Sequence, residues 1–90
     1  MVIVLDKLKK LFVAKDYGKV RLKLDKIMDE RGISRNSLAK AVDTRFEVID
    51  KWYNNKVENI DLDILAKICY VLECNVDDII EYIPEVSSSN

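Results

Sequence analysis

The chain has 90 residues, 49% apolar and 34% charged, with two Gly, one Pro and a net charge of -1, a composition that fits one compact helical domain and leaves no room for a second. No uncharged stretch exceeds five residues and the Met1–Leu5 run has neither a basic leader nor a cleavage site, so a cytoplasmic protein away from membranes is expected, a span needing roughly 20 apolar residues. Histidine is absent and only Cys69 and Cys74 carry thiols, which removes the His-dependent nucleophile arrangements and a four-coordinate zinc site within one chain; no enzyme, metal or cofactor is expected, and both thiols are read as small apolar residues at the core or its edge.

Residues 1–18 read as an N-terminal extension. Leu5, Leu8, Leu11 and Phe12 make an apolar stripe with Lys7, Lys9, Lys10 and Lys15 opposite, a pattern that fits a dimerisation or partner-binding helix, a cover on the domain's own core, or a loose leader. Lys19–Leu22 alternates apolar and polar, as Ile79–Ile83 does in part, so short terminal strands are expected to pair within or between chains. The domain itself is expected over 19–84, with 85–90 a disordered tail.

A first helix is predicted over about 23–31, from Leu24, Ile27 and Met28 at i, i+3, i+4 to the Arg31-Gly32 stop. Ser34 caps a short second helix that turns Leu38, Ala39 and Val42 inward. Thr44 followed by Glu47 has the spacing of a capping box, so a third helix is predicted from about Arg45 to Tyr53, with Ile49 and Trp52 inward and Asn54-Asn55-Lys56 ending it. Asp61 caps a fourth helix with Leu65, Ile68, Cys69 and Leu72 on one stripe. Asn75, with Asp78 three residues on, starts a fifth that turns Val76, Ile79 and Ile80 inward.

The charge is polarised along these elements. Residues 1–56 hold 14 Lys/Arg against 8 Asp/Glu, and residues 57–90 hold 1 against 8; a basic half is what phosphate neutralisation requires. Helices two and three, short and joined by a tight turn, have the spacing of a helix-turn-helix. With Ile49 and Trp52 inward, Glu47, Asp50, Lys51 and Asn54 point outward with Phe46 at the edge. Such groups accept from cytosine N4, donate to guanine O6/N7 or pack on a thymine methyl. Asp50 and Lys56 also have plainer readings, as a balance for neighbouring cations and as a solvated charge.

Four blocks then carry a resemblance: Gly32-Ile33-Ser34-Arg35-Asn36-Ser37-Leu38-Ala39, Val48 to Lys56, Leu65-Ala66-Lys67-Ile68-Cys69, and Leu72 to Ile80. In order and spacing they resemble the lambda-repressor-like, Cro/XRE-type helix-turn-helix family over about residues 20–84. The ending Glu81-Tyr82-Ile83-Pro84 is similar to compact regulators of phages and mobile elements. The resemblance implies an all-α, five-helix DNA-binding domain, most often a repressor that binds double-stranded operator DNA as a homodimer. It places Arg45, Phe46, Glu47 and Lys51 at base-contacting positions, and Asn54 and Lys56 in the backbone-contacting loop after helix three. Arg35 stands where the family commonly has a Gln that touches phosphate or supports the recognition helix, and Ser34 and Thr44 can offer a hydroxyl or a helix-terminal N–H to phosphate. Asp43 replaces the usual turn Gly, and Tyr53 replaces a usual Glu.

Two functions follow. The first is a DNA-binding transcriptional regulator that reads the major groove with the helix at 45–53 and needs no small-molecule ligand. The second is a protein-interaction module on the same scaffold, antirepressor or antitoxin-like, supported by the acidic Glu47 and Asp50 beside apolar Phe46 and Val48.

Overall fold

The computed structural model describes residues 17–84; the expected leader helix and tail lie outside the described residues. In chain order the elements are strand β1 (Lys19–Leu22), helices α1 (Leu24–Arg31), α2 (Arg35–Ala41), α3 (Phe46–Tyr53) and α4 (Leu62–Leu72), a 3-10 turn (Val76–Asp78) and strand β2 (Ile80–Ile83). The strands pair antiparallel within the chain, Lys19 opposite Ile83 and Leu22 opposite Ile80, so the domain's two ends close on each other.

Local chemistry sets most boundaries. Gly32 takes φ 65° and ends α1 by donating its N–H back into the last turn, the left-handed stop that glycine allows at least cost. The Ser34 hydroxyl accepts from the Ser37 N–H at the start of α2, and the Asp61 carboxylate accepts from the Asp63 and Ile64 N–H groups at the start of α4. Asp43 and Asn55 both adopt φ 58°, bending the chain sharply after α2 and α3. Gly18, at φ 82°, lies so close to the Ile83 carbonyl that a Cβ would come within 2.4 Å of that oxygen; the approach of the chain to β1 therefore excludes a side chain.

Three expectations need correction. The Thr44–Glu47 capping box does not form: the N-cap of α3 is Arg45, with no side-chain cap bond. The Thr44 N–H instead donates to the Ala39 carbonyl at 2.9 Å, closing the turn, and the helix starts one residue late for Glu47 to reach back. The predicted fifth helix is a single 3-10 turn. Asp78 does accept from the Asn75 N–H at 2.8 Å, but the chain then leaves the helical path to pair β2 with β1, and pairing replaces propagation. The described domain therefore has four α-helices and a two-stranded sheet. Val76, expected inward, is 52% exposed because the turn is too short to define an inner face.

The core draws on β1 and all four helices: Leu22 from β1, Leu24 and Met28 from α1, Leu38 and Ala39 from α2, Val42 from the following turn, Ile49 and Trp52 from α3, Ile64, Leu65, Ile68 and Leu72 from α4, and Ile79 between the 3-10 turn and β2. Each large side chain removed from water contributes about 1.5–3 kcal/mol. Lys23 N–H donates to the Ile79 carbonyl at 2.6 Å, fastening the sheet to the core. Arg31 donates to the Leu72 carbonyl, so the end of α1 caps the end of α4 with a cation where the helix dipole favours one.

Candidate nucleic-acid interface

α2 and α3 meet across the tight turn 42–45, and the inward stripe of Ile49 and Trp52, 0% and 2% exposed, fixes the rotation of α3. That rotation places Glu47, Lys51 and Asn54 in solvent, with Arg45 and Lys56 exposed at either end and Phe46 exposed at the edge. The expected outer face is therefore present. Its two flanks differ in how their polar groups are used.

On the flank toward α1 and α2, the groups are engaged with one another. Arg35 donates through Nη1 to Asp50 Oδ1 at 2.6 Å, and its guanidinium lies 5.0 Å from the Tyr53 ring centroid and 5.6 Å from that of Phe46, within cation–π range of both. The Asn54 amide donates to the Asp50 carbonyl at 2.9 Å and to Asp50 Oδ1 at 3.1 Å. Tyr53 donates its hydroxyl proton to Asp29 Oδ1 at 2.8 Å, tying α3 to α1. This hydrogen bond, followed by desolvation, raises the Tyr53 pKa above the ordinary phenol value. Ser34 uses its hydroxyl as both cap acceptor and donor to Ser37 Oγ at 2.9 Å. Four side chains expected near DNA, Ser34, Arg35, Phe46 and Asn54, are thus brought to one flank and held there by contacts inside the protein. Asp50 balances Arg35, the plainer of its two readings.

On the flank toward α4, an open groove is bounded by Thr44, Lys51 and Lys56, with Trp52 and Val48 at its base. Lys51 and Lys56 are exposed, which leaves two positive charges beside the outer face of α3.

Asn55 is a residue that sequence reasoning missed. Its side-chain oxygen accepts from the Leu22 N–H at 3.0 Å, linking the loop after α3 to β1 across 33 positions, while its backbone takes the left-handed turn. The Asn-Asn pair signalled the turn; nothing local signalled the long-range bond. Cys69 and Cys74 are free and half-buried, as expected for core-edge thiols. Burial, then the neighbouring Cys69, pushes the Cys74 thiol above its ordinary pKa. Among the described residues no cluster of metal-ligating side chains occurs, and no helix is long and apolar enough to cross a membrane.

Two short helices at a tight turn, the second with an exposed polar face, define a helix-turn-helix. The sequence profile of the Cro/C1-type HTH DNA-binding domain matches residues 23–85, and the chain belongs to that family. Among solved structures it is similar to the transcriptional regulator VanUg, at 33% identity over 80% of this chain and 96% of that one, with a TM-score of 0.60. A putative DNA-binding protein from Bacteroides fragilis shares the fold, at 21% identity over 70% of this chain and 100% of that one, with a TM-score of 0.63. No curated protein sequence matches significantly.

Proposed function

We propose that this protein is a sequence-specific transcriptional repressor of the compact phage and mobile-element type, binding operator DNA as a homodimer. The observation that carries the reading is the outer face of α3: Arg45, Glu47 and Lys51 stand in solvent on a helix whose inner face is locked into the core. The likeness to a transcriptional regulator at 33% identity supports the regulatory role.

In this reading α3 enters the major groove. Arg45 and Lys51 donate to guanine, Glu47 accepts from cytosine N4, and Phe46 packs on a thymine methyl. Thr44 and Lys56, on the open flank, neutralise or hydrogen-bond phosphate. Arg35 retains guanidinium donors beyond the one Asp50 receives and hydrogen-bonds phosphate from its clamped position, but Asp50 balances its charge, so it adds nothing to the salt slope until Asp50 is neutralised; Ser34 and Asn54 border the same backbone. A dimer places two such helices about 34–36 Å apart, one turn of the duplex.

Selection from random-sequence duplex DNA at low and then physiological salt tests the reading. Enrichment of a palindrome with half-sites near one turn apart is the expected result. Recovery of no sequence, with salt-sensitive weak binding alone, overturns it and directs attention to a protein partner for α3.

A further inference from the structure

The end of α4 is closed by two backbone bonds that bring two thiols together. Glu73 takes the left-handed conformation at φ 51°, its N–H donates to the Tyr70 carbonyl at 3.3 Å, and the Cys74 N–H donates to the Cys69 carbonyl at 3.1 Å. This pair of bonds is the Schellman motif, in which the side chains of the residues joined by the longer loop commonly touch. Here both of those residues are cysteines. The bond between them also sets a ceiling on their separation. With standard covalent geometry, a carbonyl-to-amide distance of 3.1 Å holds the two Cα atoms within about 7 Å, the limit beyond which a disulfide requires backbone movement.

Both cysteines line one open recess at this end of α4, with Glu73, Asn75 and Asp78 around them. Each thiol is free and half-buried. Burial is the first cause of the raised Cys74 pKa, and charge and hydrogen bonding from Cys69 contribute as well, as expected of neighbouring sulfurs. We propose that Cys69 and Cys74 are a dithiol modification site, oxidised to an intramolecular disulfide by exchange with a small disulfide of the glutathione class. In the exchange, the thiolate of one cysteine attacks a sulfur of the small disulfide, breaking its S–S bond and releasing one thiolate. The other cysteine gives its proton to water, attacks the protein sulfur of the mixed disulfide and releases the second thiolate. Two protein thiols are oxidised, and one small disulfide is reduced to two thiols.

The modification suits the fold as it stands. The disulfide joins the same two residues that the backbone bond joins, and it holds closed a left-handed turn whose central residue is not glycine. Beyond Cys74 the chain enters the 3-10 turn and then β2, whose pairing with β1 closes the domain. Oxidation therefore staples the junction between a core helix and the sheet. No residue of the proposed DNA face lines the recess, so the bond acts on stability and not on base contact. Other small apolar residues would fill the same contact; a thiol on each side is what adds the chemistry. Among the described residues no group of three or more metal-ligating side chains occurs, so the pair does not complete a four-coordinate metal site there.

The test equilibrates the full chain, without oxygen, against glutathione and glutathione disulfide over a range of ratios, once native and once in denaturant. The native chain is expected to form the disulfide with an effective concentration about tenfold or more above that of the denatured chain, because the fold already holds the thiols together. By linkage the same factor appears in the unfolding equilibrium, so the oxidised chain melts at a higher temperature than the reduced one. Intact mass should fall by two hydrogens. After alkylation of free thiols, a glutamate-specific protease separates residues 59–73 from 74–81 in the reduced chain and leaves them joined in the oxidised one. Cys74→Ser should take up one glutathione at Cys69 and never lose two hydrogens. Equal effective concentrations in the native and denatured chains overturn the proposal, because the thiols then gain nothing from the fold. A native chain that ends with a glutathione on each cysteine, or in disulfide-linked dimers, overturns it too. These measurements need no DNA, so their failure is distinct from a failure of DNA binding.

Discussion

Helices α3 and α4 press large apolar residues into the same core, Ile49 and Trp52 from one, Ile64, Leu65, Ile68 and Leu72 from the other. Opposite those stripes the two helices diverge: α3 presents Glu47, Lys51 and Asn54 to water, whereas α4 presents Leu62, Ala66 and Tyr70. Burial explains the shared half of each helix and says nothing about the other. The free halves differ in chemistry, with hydrogen-bonding and charged groups on α3 and an apolar ridge on α4.

Inner-face substitutions should erase the difference between the helices, and they carry the largest effects. Trp52→Ala on α3 is expected to destabilise the protein by about 3–5 kcal/mol and Ile68→Ala on α4 by about 2–5 kcal/mol, from lost transfer energy and the cavity left behind. Denaturant unfolding checks both. Near-native stability of Trp52→Ala would mean that the indole is not a core residue and would remove the anchor that sets the rotation of α3.

Outer-face substitutions should separate the helices. Lys51→Ala is expected to leave thermal stability unchanged while costing about 1–3 kcal/mol on the specific site and relaxing preference at one base pair. Lys56→Ala should weaken all sequences alike and lower the salt slope by about one. Specificity unaltered by Lys51→Ala would take that residue out of base contact.

The inner faces were legible in the sequence because period and burial are local properties of a helix. Ser34, Asp61 and Gly32 were legible for the same reason: each acts within four residues of itself. The misread positions depend on distant partners. The Asn75–Asp78 pair makes its predicted bond, but the next residues obey a strand 58 or more positions away, Leu22 facing Ile80. Thr44 had the right spacing for a cap and lost its N–H to turn closure. The resemblance sets Arg35 where a Gln touches phosphate or supports the recognition helix; its partner Asp50 lies 15 positions on, and local pattern could suggest that Asp50 balances a cation without saying which. The outer face of α3 was correctly oriented, yet the division of its flanks into engaged and open groups required the tertiary contacts.

Asn55 offers an intermediate effect that tests how the sheet supports α3. Asn55→Gly keeps the left-handed backbone and loses the bond to the Leu22 N–H; Asn55→Ala loses both. Removing a partner from a half-buried N–H costs about 1–3 kcal/mol, and the backbone term adds roughly 1 kcal/mol to the Ala variant. Equal stabilities for the two variants in thermal melts would show that the turn geometry at residue 55 contributes nothing.

The smallest effect concerns the engaged flank of α3. Arg35 and Asp50 are 42% and 38% exposed at their side chains, so their pair contributes about 0–1 kcal/mol. Asp50→Asn keeps an oxygen that can accept from Arg35 and removes the charge that competes with phosphate. Stability should therefore fall by less than about 1 kcal/mol. Affinity for every DNA sequence should rise, and the salt slope should steepen by about one as Arg35 becomes available to the backbone. Arg35→Ala in the Asp50→Asn background should return the slope to the native value, because the released cation is then absent. A slope unchanged by Asp50→Asn would mean that Arg35 never meets phosphate and acts only as a strut, stacked on Tyr53 and Phe46, that sets the angle between α2 and α3. In that case Lys51, Lys56 and Arg45 carry the electrostatics of the interface, and the two flanks of α3 divide cleanly into one that positions and one that binds.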